Sequence, residues 1–233
     1  MRVAIHQPHY LPWLGLLHRM RAADLFIVLD HVQFERGNYQ NRTRVRINGE
    51  ARWLTVPVVQ RSQSERIADK RIDNGLEGSR HWAAVHFETL RRAYGCAGYF
   101  SRHAAALQSI YRQKWESLVD LNDATLAFLR QAFDIHTPLV KSSQLGVGGA
   151  KSELVLNLCR AVAADTLIVG LGGSRDYLDR DAFARAGIGL EPQQFAHPVY
   201  RQCGPGPFTP GLAAIDMLFN AGPAGRTESR LAA

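Results

Sequence analysis

Two short apolar runs, RVAIH (Arg2 to His6) and DLFIVLD (Asp24 to Asp30), stand either side of WLGLLHRMRA (Trp13 to Ala22). The runs have strand length and hold β-branched and aromatic residues, while the middle segment repeats its apolar residues at helical spacing. Pro12 suits the first turn of that helix, where a missing N–H costs nothing. Two strands joined through a helix cannot be hairpin neighbours, so they predict a parallel pair with a right-handed crossover. Parallel strands are buried on both faces, which commits the chain to an α/β fold.

The texture then changes. RTRVRI (Arg42 to Ile47), Asn48-Gly49 and RWLTVPV (Arg52 to Val58) predict a β-hairpin over about 42–58 with a type I′ turn. Residues 60–78 read as a polar loop. Helical patterns follow over Ser79–Tyr94, Tyr99–Trp115 and Leu118–Phe133, a helical insertion of about 79–134. The α/β rhythm resumes with a strand over Thr137–Lys141, a helix over Lys151–Ala163 and a strand over Thr166–Val169. The glycine-rich GLGGS and a helix over Asp179–Ala186 come next. A last strand is expected near Gln193–Phe195 and a final amphipathic helix over Gly211–Asn220. The order predicts one Rossmann-like α/β domain over residues 1–222. It would hold a mostly parallel sheet with helices on both faces, a hairpin after the second strand and the helical insertion. Residues 223–233 read as a frayed tail.

Hydrophobic residues at 46% and charged residues at 21% are ordinary for a globular chain. No apolar run approaches the roughly 18 residues of a membrane span, and no signal-peptide stretch follows Arg2. The expected location is cytoplasmic. Cys96, Cys159 and Cys203 are widely spaced with no CxxC pair, which suits reduced thiols better than a disulfide framework or zinc site. The net charge of +7 raises nucleic acid as a partner. The basic residues are scattered arginines, however, and no helix-turn-helix, RRM or KH pattern occurs. An anionic small molecule, nucleotide-linked in one reading, is the simpler substrate; nucleic acid is left only as a charged tRNA donor. No feature names a cofactor.

In open parallel sheets the ligand lies beyond the carboxyl ends of the strands, where chain order reverses. Three polar segments fall at such ends. AIHQPHYLPWLG places His6, Gln7, His9, Tyr10 and Trp13 between the first strand and the helix. His6 suits acid–base work near neutral pH, and a helix N-terminus behind it offers N–H groups to an anion. The same residues also describe a structural turn, with Tyr10 and Trp13 covering the core. No acidic or cysteine cluster adjoins His6 and His9, so no metal is expected.

The second segment holds Asp30, Gln33, Asn41 and Arg42. An arginine fork suits phosphate or carboxylate, and Asn and Gln read hydroxyls or amides. As a mere polar loop, Asp30 would cap a turn and Arg42 would be solvated. Behind TLIV, Gly172, Gly173 and Ser174 form a glycine-rich turn of the kind that approaches phosphate, without the Walker ending or GxGxxG spacing. Asp176 and Tyr177 add polar groups there. Near the end, His197, Tyr200 and Gln202 occupy a loop before the last helix. On that helix Asp216 is either a buried partner for a His or Arg or an exposed position.

HQPHYLPWLG, DLFIVLDHVQF, QNRTRV, WLTVPV, GSRDYLD, HPVYRQ and DMLFNAG, in that order from Ala4 to Gly222, resemble the WbqC-like protein family. The helix after the first motif carries His18-Arg19 where that pattern would have a lysine; a contact to an anionic ligand would survive through Arg19. Family members are often encoded among genes for bacterial surface polysaccharide, O-antigen and natural-product pathways. With the sheet and the polar clusters, the resemblance implies a cytoplasmic transferase. It would move an acyl or aminoacyl group to an amine or hydroxyl of a small nucleotide-linked sugar or amine acceptor.

On that reading His6 is the base, with Asp30 and Tyr10 beside it in catalysis, and Tyr10 and Trp13 wall the sugar or base. Asn41 and Arg42 hold the anionic part. Gln7, His9, Gln33, Gly172, Gly173, Ser174, Asp176, Tyr177, His197 and Tyr200 complete the binding residues. One cleft at the carboxyl rim is expected to gather them. The alternatives are a nucleotidyltransferase-like enzyme and a non-catalytic nucleotide-sugar binding protein.

Overall fold

The computed structural model describes residues 1–172 and 177–223. The chain divides into two compact units, each assembled from separate stretches. The first takes Met1–Pro8, Gly15–Val32 and Ile135–Ala196; the second takes His9–Leu14, Gln33–Asp134 and the chain from His197 on.

The first unit holds β1 (Arg2–His6), α1 (Leu14–Ala22), β2 (Leu25–Val28), β5 (Leu139–Lys141), α5 (Lys151–Ala161), β6 (Thr166–Val169), α6 (Arg180–Arg185) and β7 (Gly189–Pro192). The strands and helices between β2 and β5 in the chain belong to the second unit. The strands form one five-stranded sheet in the order β5-β2-β1-β6-β7, and every neighbouring pair is parallel. This is the α/β fold that the strand–helix–strand opening predicts. Consecutive residues such as Val3-Ala4 and Phe26-Ile27-Val28 are buried, so both faces of the sheet are covered. Helix α5 lays Leu154, Val155, Leu158 and Cys159 against Val3, Ile27, Leu167 and Phe183. Each large apolar side chain buried this way contributes about 1.5–3 kcal/mol. Burial pushes the Cys159 thiol up to about 12, and it packs as a small hydrophobe.

The second unit holds the hairpin β3 (Arg42–Ile47) and β4 (Glu50–Thr55), α2 (Trp82–Tyr94), α3 (Phe100–Arg112), α4 (Leu118–Ala132) and α7 (Ala214–Ala221). Asn48 and Gly49 both take positive φ, 50° and 84°, as a type I′ turn requires. A side chain at Gly49 would also strike the Pro205 carbonyl. Phe219 on α7 meets Tyr94 of α2 and Phe100 of α3 edge to face, at 5.4 and 5.2 Å between ring centres. Leu90, Leu107 and Leu129 complete this core with no exposed surface.

Several boundaries move for local reasons. Helix α2 starts at Trp82 rather than Ser79, because a 3-10 turn occupies Gly78–Arg80 and the His81 ring accepts the Ala83 N–H as a cap. The last strand is Gly189–Pro192, in register with β6; the Gln193 N–H still bonds the Val169 carbonyl, while its side chain turns to the Gly15 carbonyl. Helix α7 begins at Ala214, since Gly211 takes φ 71° and Ala213 bridges to Trp13. The tail expected beyond Pro223 lies outside the described residues.

Candidate functional site

Chain order in the parallel sheet reverses at β1, with β2 on one side and β6 on the other. The crevice beyond the carboxyl ends of β1 and β6 is therefore where a ligand of such a sheet is held. His6 is the last residue of β1 and is half-buried. Its Nδ1 lies 2.8 Å from the carbonyl oxygen of Gln7. A carbonyl only accepts, so Nδ1 carries the proton and Nε2 is the basic nitrogen. Gln7 is half-buried beside it.

Asp30 follows β2 and is 2% exposed. Its carboxylate accepts from Ser142 Oγ at 3.0 Å, Ser143 N at 2.9 Å and Ser143 Oγ at 2.7 Å. Ser142 Oγ takes the Asp30 N–H in turn and lies 2.5 Å from His31 Nδ1. The carboxylate is thus occupied in holding the turn after β5, a positioning task rather than one facing solvent. Gly172 and Tyr177, in the segment that follows β6, are exposed. Gly173, Ser174 and Asp176 lie outside the described residues. Val169, Leu178, Arg180, Leu190 and Pro192 line a cleft of about 120 Å³.

The second unit takes the rest of the first motif. Leu11, fully buried, has φ 45°, a costly conformation for a branched side chain. Its carbonyl accepts from Thr43 Oγ1 at 2.9 Å, the Tyr10 N–H donates to Tyr39, and the Pro12 carbonyl accepts from Ala214. These bonds answer why the motif mixes prolines with aromatics: it is a sutured turn as well as a strand end. Half-buried Trp13 lies in this suture, bridged to Ala213.

Tyr10 has no exposed surface. Its hydroxyl bonds Tyr111 and lies 2.9 Å from His86 Nδ1, inside a cluster that includes Trp82. Burial holds both tyrosines well above their usual range. Tyr10 is therefore part of the core and presents no face to a ligand.

Asn41 donates to the Val56 carbonyl at 2.8 Å and receives the Val56 N–H, closing the base of the hairpin. Arg42 donates to the Gly37 carbonyl, and its guanidinium lies 4.0 Å above the Trp53 ring. Asn41 is buried at the hairpin base, while Arg42 beside it is held by these contacts and remains half-exposed. His9 stacks on Tyr39, and Tyr39 meets Trp53, which is 42% exposed. Gln33 is exposed and donates to the Gln63 carbonyl at 2.6 Å. His197 stacks on Tyr200 and meets Phe208 edge to face.

Of the two places the sequence left open for Asp216, the structure takes the buried one, with tyrosines and a glutamine as its bonded partners rather than a His or Arg. Asp216 has no exposed surface and accepts from Tyr94 Oη at 2.9 Å, Tyr200 Oη at 2.7 Å and Gln202 Nε2 at 2.8 Å. Burial nevertheless raises its pKa against the pull of those bonds. Arg46, 2% exposed, donates to Gln202, Thr209 and the carbonyls of Pro205, Gly206 and Pro207. The alternating RTRVRI pattern marks Arg46 only as a strand residue.

His86 gives this unit a pH dependence. Burial lowers its pKa to about 4, below the 6.5 it regains on unfolding. Between those values the unfolded chain binds the extra proton, so stability falls as pH falls. From pH 7 to pH 4 the loss from His86 is about 3 kcal/mol. Urea unfolding of wild type and His86→Gln, which keeps an acceptor for Tyr10, is expected to show a flatter pH profile in the variant by about that amount.

Comparison with known proteins returns one curated relative to set beside this geometry. It is the uncharacterized protein Rv1507c of Mycobacterium tuberculosis, 29% identical over 224 residues, covering 95% of this chain and 94% of the relative. No solved structure matches. A family description does match, from Gln7 beside the strand-end histidine across both units to residue 228. The chain belongs to the WbqC-like protein family.

Proposed function

We propose that the chain is a transferase that moves an acyl or aminoacyl group onto an amine or hydroxyl of a small nucleotide-linked acceptor. Membership of the family supports a place in bacterial surface-glycan or natural-product biosynthesis, through the pathways in which its relatives are encoded. The observation that carries the reading is His6. It ends β1 beside the switch point, and the Gln7 carbonyl fixes its tautomer at 2.8 Å. Nε2 takes the proton of the attacking amine or hydroxyl as the new bond to the acyl carbon forms, then returns it to the departing group. Asp30 and Ser142 set the neighbouring strand end, and Gln7 offers an amide to the acceptor.

The sheet order also supports a second reading, nucleotidyl transfer, because a histidine loop behind the first strand suits a nucleotide phosphate as well. Incubation with sugar nucleotides and acyl or aminoacyl donors, followed by mass spectrometry, separates the two. The first reading expects the acceptor to gain the acyl mass. Pyrophosphate release from a nucleoside triphosphate would establish the second instead. Retention of a sugar nucleotide without turnover would make the chain a binding protein.

A further inference from the structure

We infer that Arg19 receives an oxyanion, a phosphoryl or carboxyl group of a small ligand, at the switch point of the parallel sheet. Arg19 lies on α1 and is 6% exposed. Its Nε is buried with no hydrogen-bond partner, and no acidic side chain pairs with it among the described residues. The guanidinium lies against Gly170, the first residue past β6, where a Cβ would collide with Nη1. The absence of a side chain at 170 is what admits the arginine to this strand end.

The other buried cations of the chain are treated differently. Lys70 meets Glu65 at 2.7 Å, and Arg46 donates to five partners. Among the described residues, Arg19 alone of these three has no ion-pair or hydrogen-bond partner for its desolvated charge. Burial lowers its pKa to about 10, which leaves it fully charged at neutral pH. A guanidinium in that state destabilises the empty protein, and its planar fork matches two oxygens of a phosphate or carboxylate.

The arginine is also held in place. One turn earlier in α1, the Gly15 carbonyl accepts from Gln193 Nε2 at 2.6 Å, and the Gln193 N–H bonds the Val169 carbonyl at 2.8 Å. Gln193 therefore clamps α1 to the carboxyl end of β6, where Gly170 begins. Rigid positioning of this kind keeps a charged fork ready for its ligand. The inference deepens the function proposed above by naming the ligand group. It is read by binding alone, so failure of either leaves the other to be judged separately.

The test titrates pyrophosphate and, separately, malonate at constant ionic strength. It follows thermal unfolding and, for pyrophosphate, phosphorus NMR line widths. Wild type is expected to gain stability saturably with one of the two, which decides between phosphoryl and carboxyl. Arg19→Met and Arg19→Gln are expected to unfold at higher temperature than wild type without anion, and to bind about tenfold or more weakly. Arg19→Lys, which keeps charge but not fork, is expected to fall between, and Gly170→Ala to weaken binding by displacing the guanidinium. No saturable response to either anion in wild type overturns the inference. So does an Arg19→Met protein that is less stable than wild type and binds as tightly.

Discussion

His6→Ala is expected to lower turnover by about a hundredfold to ten-thousandfold while the protein stays soluble and unfolds cooperatively. The side chain sits half-buried at the end of β1, and its Nδ1 bond runs to the carbonyl of the very next residue. Loss of the ring removes Nε2, the atom assigned to accept the proton of the nucleophile. The effect should therefore fall on kcat with little change in KM, since a base that acts only in the transition state adds little to ground-state binding. The pH profile gives a second readout. Wild type is expected to show an activity limb that falls on acidification, and His6→Gln, which keeps polarity without a titrating ring, should lose it. A His6→Ala protein that aggregates, or one that turns over at the wild-type rate, would return the residue to the structural turn that the sequence also allows.

The parts of the fold that were legible in the sequence are those set by neighbours in the chain. RVAIH and DLFIVLD read as strands because apolar runs of that length have one economical use, and Asn48-Gly49 reads as a turn because both residues tolerate positive φ. The carboxyl rim followed from the same local pattern. What could not be read is what depends on distance. Tyr94 and Asp216 are 122 residues apart, and Ser143 and Asp30 are 113 apart, so no local period announces either bond. Tyr10 was expected at a ligand wall because a tyrosine carries a polar tip. That tip is met instead by His86 and Tyr111, 76 and 101 residues onward. The division into two units is similarly silent, since it cuts through HQPHYLPWLG between Pro8 and His9, where every residue looks equally suited to one loop. The family resemblance points to Arg19, but that it lies buried against Gly170, 151 residues onward, no local pattern announces.

Glu65→Gln is expected to destabilise the protein by about 3–5 kcal/mol, a large share of the 5–15 kcal/mol that holds a typical domain. Residues 60–78 read as a polar loop, yet Lys70 within them has no exposed surface. Its Nζ lies 2.7 Å from Glu65 Oε2, whose side chain is 9% exposed, and 4.8 Å from the Phe34 ring centre. The lysine also ends the 3-10 turn Ile67–Asp69, and its carbonyl accepts the Leu118 N–H at the start of α4. A neutral amide at 65 leaves an ammonium desolvated, with the aromatic ring as its remaining electrostatic support. The cost is that of an uncompensated buried charge rather than the net worth of the pair. For the same reason, removing both charges should cost far less than removing one. Lys70→Met with Glu65→Leu is expected to lie within about 1 kcal/mol of wild type, or above it, provided the new side chains fill the space. Urea unfolding of the two singles and the double closes the cycle, and a coupling of about 2 kcal/mol or more is the expected reading. Additive losses across the cycle would mean that Lys70 acts through its packing against Phe34 and α4, with the ion pair contributing nothing measurable.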